Sequence, residues 1–138
     1  MDKKIAELTQ AWLTKAQHDL IGSNRLAATD DITLDGAIYH CQQAGEKALK
    51  GYLAAQGHLI QKTHDLRLLI KECNAYEPSF QQWNAEADLL SSLVSSFRYP
   101  DQVPVVNPTR SEFEQAFAAA QRIYDFVLSL LPAETHPT

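Results

Sequence analysis

Apolar residues recur at intervals of three and four along most of the chain, the spacing that places them on one face of a helix. Glycine and proline interrupt this spacing only rarely, so it predicts long helices rather than a series of short strands. It resolves into five segments, over about residues 5–28, 34–56, 63–76, 78–99 and 110–131. Four long helices and a shorter third one predict an all-α fold, an up-and-down antiparallel helical bundle.

Residues typical of helix ends lie at several of these boundaries. Gly57 is expected to end the second helix, because glycine readily adopts the left-handed backbone that follows many helices. Thr63 is expected to cap the third helix with Asp65 in its first turn, and Pro78 to lie in the first turn of the fourth. Gly45 falls on the apolar face of the second helix, which predicts close approach of a neighbouring helix.

The length of 138 residues suits one domain with a single core, expected over residues 1–132, followed by a disordered tail over 133–138. Cys41 and Cys73 fall on apolar faces, where a free thiol behaves as a small hydrophobic side chain. Free thiols indicate a reducing, cytoplasmic location. The sequence shows neither a secretory leader nor an apolar stretch of membrane-spanning length, so no membrane association is expected.

The formal net charge of -5 opposes unspecific coating of nucleic acid, but the charge is unevenly distributed. Five cations, two carboxylates and three histidines lie between His40 and Lys71, whereas acidic residues dominate afterwards. The middle third of the chain is therefore where an anion is expected to bind.

The most specific polar pattern follows the second helix. Four of its side chains share a stripe away from the apolar face: His40, Gln43, Lys47 and Lys50. Such a stripe is commonly a solvated surface, but its donors also suit phosphate groups and base edges. We therefore treat these four residues as candidate ligand-binding residues.

Two other helices carry further candidates. Lys15 and Asp19 have the spacing of a surface ion pair, which needs no function. Because Asp19 also lies close to the apolar face, we expect it to pair with Lys47 or Arg98. Arg98 lies in the last turn of the fourth helix, where the helix dipole favours a cation, and arginine also binds phosphate well.

Lys62 and His64 lie at the predicted start of the third helix, where free backbone N–H groups can hold an anion. A capped helix explains Thr63 and Asp65 without any ligand, but it requires neither Lys62 nor His64. Both are therefore added to the candidate binding residues.

Metal and cofactor chemistry are not predicted. His40 and Cys41 are adjacent on one helix and cannot both point to one ion, and no paired cysteine or histidine spacing occurs. The motifs of phosphate-binding loops and nucleophilic serines are absent from the sequence. These patterns thus identify no catalytic residue.

Four motifs in a fixed order resemble the HEPN domain family. They are W-x-x-K-A-x-x-D-L at 12–20, H-C-Q-Q-A-x-E-K-A-L-K at 40–50, G-x-x-x-x-K-T-H-D-L at 57–66 and R-Y-P at 98–100. The resemblance covers most of the chain and implies an up-and-down helical bundle that is usually a homodimer. It also implies a frequent partner, a minimal nucleotidyltransferase, in a two-component, toxin–antitoxin-like pair.

Many HEPN proteins are metal-independent ribonucleases, in which an arginine is followed four to six residues later by a histidine and the site forms across a dimer. Arg98 stands where that arginine is expected, but no histidine follows it before His136. The chain departs from the ribonuclease pattern, which fits the branch of the family that binds nucleotides. Whether the chain is an enzyme stays open at this point.

Three hypotheses follow. The first is a nucleotide- or RNA-binding module with little or no catalysis, in which His40 and Gln43 contact a base or sugar and Asp19 orients a cation. Its phosphate-binding residues would be Lys47, Lys50, Lys62 and Arg98. The second is a ribonuclease with a rearranged site, where Arg98 stabilises charge on the scissile phosphate and His40 or His64 is the general acid or base. The third is an interaction subunit whose polar groove only docks a partner protein.

Overall fold

The computed structural model describes residues 1–138 and consists of helices joined by turns, which confirms the all-α prediction. Two short 3-10 segments, Pro78–Trp83 and Ala133–Thr135, accompany the α-helices. No helix combines the length and the apolar character needed to cross a membrane. The five α-helices are α1 (Lys3–Ala27), α2 (Leu34–Ala55), α3 (Leu66–Asn74), α4 (Asn84–Phe97) and α5 (Arg110–Leu130).

α2 lies at the centre of the fold, because it packs against all four other α-helices. Small residues allow this close packing. A Cβ on Gly45 would lie 3.3 Å from Leu90 Cδ1 of α4 and 3.9 Å from Ile123 Cδ1 of α5, which confirms the predicted close approach. Since α2 is enclosed on several sides, some of its polar side chains are buried and need partners inside the protein.

Gly51 marks an even closer approach, by α1. A Cβ here would lie 3.0 Å from Leu13 Cδ2 and 3.3 Å from Trp12 Cβ. Because Leu13 is itself fully buried, we expect Gly51→Val to lower the free energy of unfolding by about 1–3 kcal/mol. Gly22→Ala is the matched control, since an added Cβ there meets no atom within 4 Å. It should raise the free energy of unfolding by about 0.5–1 kcal/mol. Urea unfolding measures both, and a neutral Gly51→Val would show that α1 can move aside.

The end of α2 agrees with its prediction, whereas the start of α3 does not. Gly57 follows α2 with a φ of 71°, in the left-handed region. α3 begins at Leu66, three residues after the predicted cap. Asp65 is the residue that caps it, because its carboxylate accepts a hydrogen bond from Leu68 N, while Thr63 Oγ1 accepts one from Asp65 N. The prediction that Thr63 caps α3 was therefore wrong.

The fourth predicted helix is divided into two. Residues from Pro78 to Trp83 form a 3-10 segment, and α4 begins only at Asn84. In a 3-10 helix, residues three apart lie on the same side, so Phe80 and Trp83 both reach the core. Phe80 is fully buried, and both rings pack against Phe126 of α5, with centroids 5.0 and 5.4 Å away.

The C-terminal residues differ from the predicted disordered tail. They turn back after α5 in a 3-10 segment, and Thr135 is fully buried. Gln10 Nε2 of α1 donates a hydrogen bond to the His136 carbonyl, and the His136 ring is bonded to the Leu128 carbonyl of α5. These contacts with two helices hold the segment against the bundle.

Candidate functional site

Asp19 is the centre of a polar cluster between α1 and α2. Its carboxylate accepts hydrogen bonds from His40 Nδ1 at 2.8 Å and from Lys47 Nζ at 2.7 Å. Asp19 is buried, and two donors satisfy its two carboxylate oxygens. The predicted pairing of Asp19 with Lys47 is confirmed, and His40 is an additional partner. We call these three residues the Asp19 cluster.

Glu46 is the centre of a second cluster, where α2 faces the segment that precedes α3. Its carboxylate accepts hydrogen bonds from Lys50 Nζ at 2.9 Å and His64 Nδ1 at 2.7 Å. The Glu46 and Lys50 side chains are only 4% and 7% exposed. The Lys50 ammonium also lies 5.6 Å from the centre of the Trp12 ring, in position for a cation–π interaction. We call Glu46, Lys50 and His64 the Glu46 cluster.

The two clusters have the same arrangement, in which a buried carboxylate accepts hydrogen bonds from one lysine and one histidine. Each histidine is held through Nδ1, and its Nε2 makes no hydrogen bond within the protein. The His40 side chain is 39% exposed and that of His64 is 79% exposed. His64 is therefore the histidine that a ligand reaches more easily.

Arg98 is fixed by stacking and not by an ion pair. Its guanidinium carbon lies 3.7 Å from the centre of the Tyr39 ring, and its N–H groups make no hydrogen bond or salt bridge with the protein. Arg98 caps the C-terminus of α4, where the helix dipole favours a cation. The side chain is thus exposed, oriented by an aromatic ring, and free to donate to an anion.

A groove of about 610 Å³ joins Arg98 to His64. Residues of α2 form one wall, residues of α4 form the other, and His64 lies at one edge. Three predicted candidates line this groove, namely Gln43, His64 and Arg98. The remaining lining residues are Tyr39, Gln42, Ser91, Val94, Ser95, Tyr99 and Asp101.

The other candidates lie outside the groove lining. Lys47, Lys50, Asp19 and His40 are engaged in the two clusters. Lys62 is exposed in the connection between α2 and α3 and makes no hydrogen bond or salt bridge. Lys15 is exposed on α1 beside an apolar patch formed by Leu8, Ala11 and Trp12.

The anion site expected at the start of α3 is occupied by a side chain of the protein itself. Asp65 places its own carboxylate on the free backbone N–H of Leu68. A negative side chain therefore occupies the position where a phosphate was expected to bind.

Several residues of the site were not among the candidates, most importantly Glu46 and Tyr39. Tyr39, Gln42, Gln43 and Glu46 are spaced as i, i+3, i+4 and i+7, so they form a second polar stripe that shares Gln43 with the predicted one. That spacing was a usable signal. What the sequence could not show is that Tyr39, Gln42 and Gln43, and not the lysines of α2, line the groove with α4.

The side-chain amides of Gln42 and Gln43 in this stripe already form hydrogen bonds within the protein. Gln42 Nε2 donates to the His64 carbonyl at 3.1 Å, and Gln43 Nε2 donates to Gln42 Oε1 at 2.7 Å. The remaining oxygen, Gln43 Oε1, makes no hydrogen bond within the protein. Gln43 therefore presents an acceptor to the groove in a fixed orientation.

The structure shows neither a reactive thiol nor a set of metal-binding side chains. Cys41 and Cys73 are buried and free, as predicted. Burial, with a smaller contribution from the charge of Asp19, raises the pKa of the Cys41 thiol to about 12, and burial likewise raises the pKa of Cys73. Neither thiol is an effective nucleophile. No group of histidine, cysteine and carboxylate side chains is arranged to hold a metal ion.

Comparison with known proteins agrees with the resemblance of the motifs. The family model of the HEPN domain matches residues 9–130. The crystal structure of TT1696 from Thermus thermophilus is similar, with 29% sequence identity and a TM-score of 0.72. The alignment covers 91% of this chain and 99% of that one. A search of curated proteins finds no match.

Proposed function

The chain belongs to the HEPN domain family, and from this premise we propose that it is a nucleotide- or RNA-associated module. Its ligand would be a phosphorylated nucleoside unit bound between α2 and α4. The observation that carries the proposal is the state of Arg98, whose guanidinium is oriented by Tyr39, free of any carboxylate, and in the same groove as His64 and Gln43.

The groove residues suit the three parts of such a ligand. Arg98 would donate to the phosphate. Gln43 Oε1 would accept a hydrogen bond from an amino group of the base, and Tyr99, which is 69% exposed at the rim, would stack on the base. His64 Nε2 would meet a ribose hydroxyl, because Glu46 holds the opposite ring nitrogen.

Isothermal titration calorimetry tests this proposal. The purified protein is titrated with AMP, GMP, CMP and UMP and with a short single-stranded RNA, and the corresponding nucleosides without phosphate serve as matched ligands. We expect saturable binding of at least one phosphorylated ligand and weaker binding of its nucleoside. Equal affinity for nucleoside and nucleotide would argue against a role of Arg98 as the phosphate ligand. The absence of any binding would leave the third hypothesis, a protein-interaction subunit, as the better one.

A ribonuclease is a second candidate, supported by the hydrogen bond of 2.7 Å between Glu46 and His64. A histidine oriented by a carboxylate can act as a general base toward a ribose hydroxyl, and Arg98 in the same groove would stabilise the charge on the phosphate. Incubating single-stranded RNA with the protein in EDTA tests this function. Cleavage that disappears in His64→Ala would establish it, and intact RNA would exclude it for the RNA tested.

We also propose, from the family relationship, that the protein forms a homodimer and that a minimal nucleotidyltransferase is its partner in a toxin–antitoxin-like pair. Exposed apolar side chains offer surface for such contacts. Five of the ten large ones lie in the connections that follow α1 and α4, namely Ile32, Tyr99, Val103, Val105 and Val106. Light scattering measures the first association. Co-purification with a nucleotidyltransferase encoded beside it measures the second, and a monomer with no such partner would contradict both.

A further inference from the structure

We infer that the groove selects ligands that carry a single phosphate over nucleoside triphosphates. The inference deepens the proposed function and rests on it. It follows from the charges and the hydrogen-bond donors along the groove.

The groove has very little positive charge to offer. Arg98 is the only lysine or arginine among its ten lining residues, and Asp101, which forms no ion pair, is the only aspartate or glutamate among them. The permanent charges of the lining therefore cancel. A monophosphate already carries a charge of about -1.5 to -2, and each added phosphate group would bring further negative charge with no cation to balance it.

The nearby lysines do not make up for this. Lys47 is bonded to Asp19 at 2.7 Å and Lys50 to Glu46 at 2.9 Å, so each is already neutralised by a buried carboxylate. Moving either lysine toward a ligand would leave its carboxylate buried without a cation. The free energy lost in this way exceeds the free energy gained from a contact with an exposed ligand. Lys62 is exposed outside the groove lining.

A free helix N-terminus, the other usual means of binding a chain of phosphates, does not face the groove either. The helix that begins next to His64 is α3, and the carboxylate of Asp65 already accepts from Leu68 N there. The groove meets α4 toward its C-terminal end, because it is lined from Ser91 to Arg98. The helix dipole is negative at that end, so it provides no attraction for phosphate groups beyond the one that Arg98 binds.

The available donors instead match one phosphate group. Ser91, Ser95 and Arg98 are spaced as i, i+4 and i+7, which places them on one face of α4. Both serines line the groove, and neither hydroxyl makes a hydrogen bond within the protein. Two hydroxyls and a guanidinium are enough to serve the three free oxygens of a terminal phosphate.

Calorimetric titration with matched pairs, AMP with ATP and GMP with GTP, in EDTA tests the inference. We expect each monophosphate to bind more tightly than its triphosphate. In Asp101→Lys, the local charge rises by two units, and the affinity for the triphosphate should increase about tenfold relative to the monophosphate. Glu114→Lys is the control, because Glu114 is exposed on α5 outside the groove, and it should leave the ratio unchanged.

The different failures are distinguishable. Equal or tighter binding of ATP or GTP to the unaltered protein overturns the inference alone and leaves the proposed function in place. An unchanged ratio in Asp101→Lys overturns the charge argument. If no nucleotide binds at all, the proposed function fails and the inference falls with it.

Discussion

Glu46→Ala is expected to lower the free energy of unfolding by about 3–5 kcal/mol, the largest single effect we predict. Glu46 and Lys50 are almost completely buried, and Glu46 joins Lys50 to His64. Removing the carboxylate leaves the Lys50 ammonium buried without a counter-charge. Urea unfolding followed by circular dichroism measures the loss. Glu114→Ala, an exposed glutamate on α5, is the control and should change stability by less than about 0.5 kcal/mol.

A double variant separates the contribution of the Glu46–Lys50 ion pair to stability from the cost of burying an unpaired Lys50 ammonium. Replacing both residues by apolar ones, as Glu46→Leu with Lys50→Met, removes the cost of burying a lone ammonium, and such exchanges are often nearly neutral. We therefore expect the double variant to be more stable than Glu46→Ala. If the double variant is the less stable of the two, the unpaired Lys50 ammonium is not the main cost of Glu46→Ala. If Glu46→Ala is nearly neutral, Lys50 reaches water more easily than its burial indicates.

Arg98→Ala is expected to weaken nucleotide binding by about 10- to 100-fold, the value of a hydrogen bond to a charged group of about 1.5–3 kcal/mol. Stability should barely change, because Arg98 is exposed, stacks on the Tyr39 ring and forms no side-chain hydrogen bond or ion pair. Arg98→Lys should give an intermediate affinity, since lysine keeps the charge but loses the planar group that stacks.

Arg122→Ala is the matched control for this experiment. Arg122 is exposed on α5 and lines a different depression of the surface. Calorimetry with the best-bound monophosphate compares the three variants. An Arg98→Ala protein that binds within twofold of the unaltered one would place the phosphate elsewhere.

The helices could be predicted from the sequence because the apolar spacing of three and four is a local property. All five predicted segments correspond to helical structure, and α5 begins at the predicted residue, Arg110. The start of α3 was predicted wrongly because two neighbouring side chains could each cap the helix. Asp65 and Thr63 both accept backbone hydrogen bonds, and only the structure shows which of them begins α3.

The candidate site was harder to predict, because it depends on which helix faces which polar stripe. The pairing of Asp19 with Lys47 could be predicted from a carboxylate beside an apolar face. The sequence places Lys50 on a polar stripe, but periodicity cannot distinguish a solvated lysine from a buried one with a partner four residues earlier. The groove itself arises from the contact of α2 with α4, which no local pattern encodes.

The family motifs also gain a structural explanation. The motif of α2 contains the histidine and lysine of the Asp19 cluster and the glutamate and lysine of the Glu46 cluster. Much of its polar character thus serves to satisfy buried charges. The residues most exposed to a ligand, Arg98 and His64, come instead from the shorter motifs.

The contact between Lys50 and the Trp12 ring gives the protein an optical reporter of its own. Trp12 lies beside the buried ammonium, whereas Trp83, the other tryptophan, lies beside Phe126 in a separate aromatic group. Intrinsic fluorescence therefore senses two regions at once. Replacing one indole at a time by phenylalanine would assign the emission, so that unfolding around each tryptophan is followed without any attached dye.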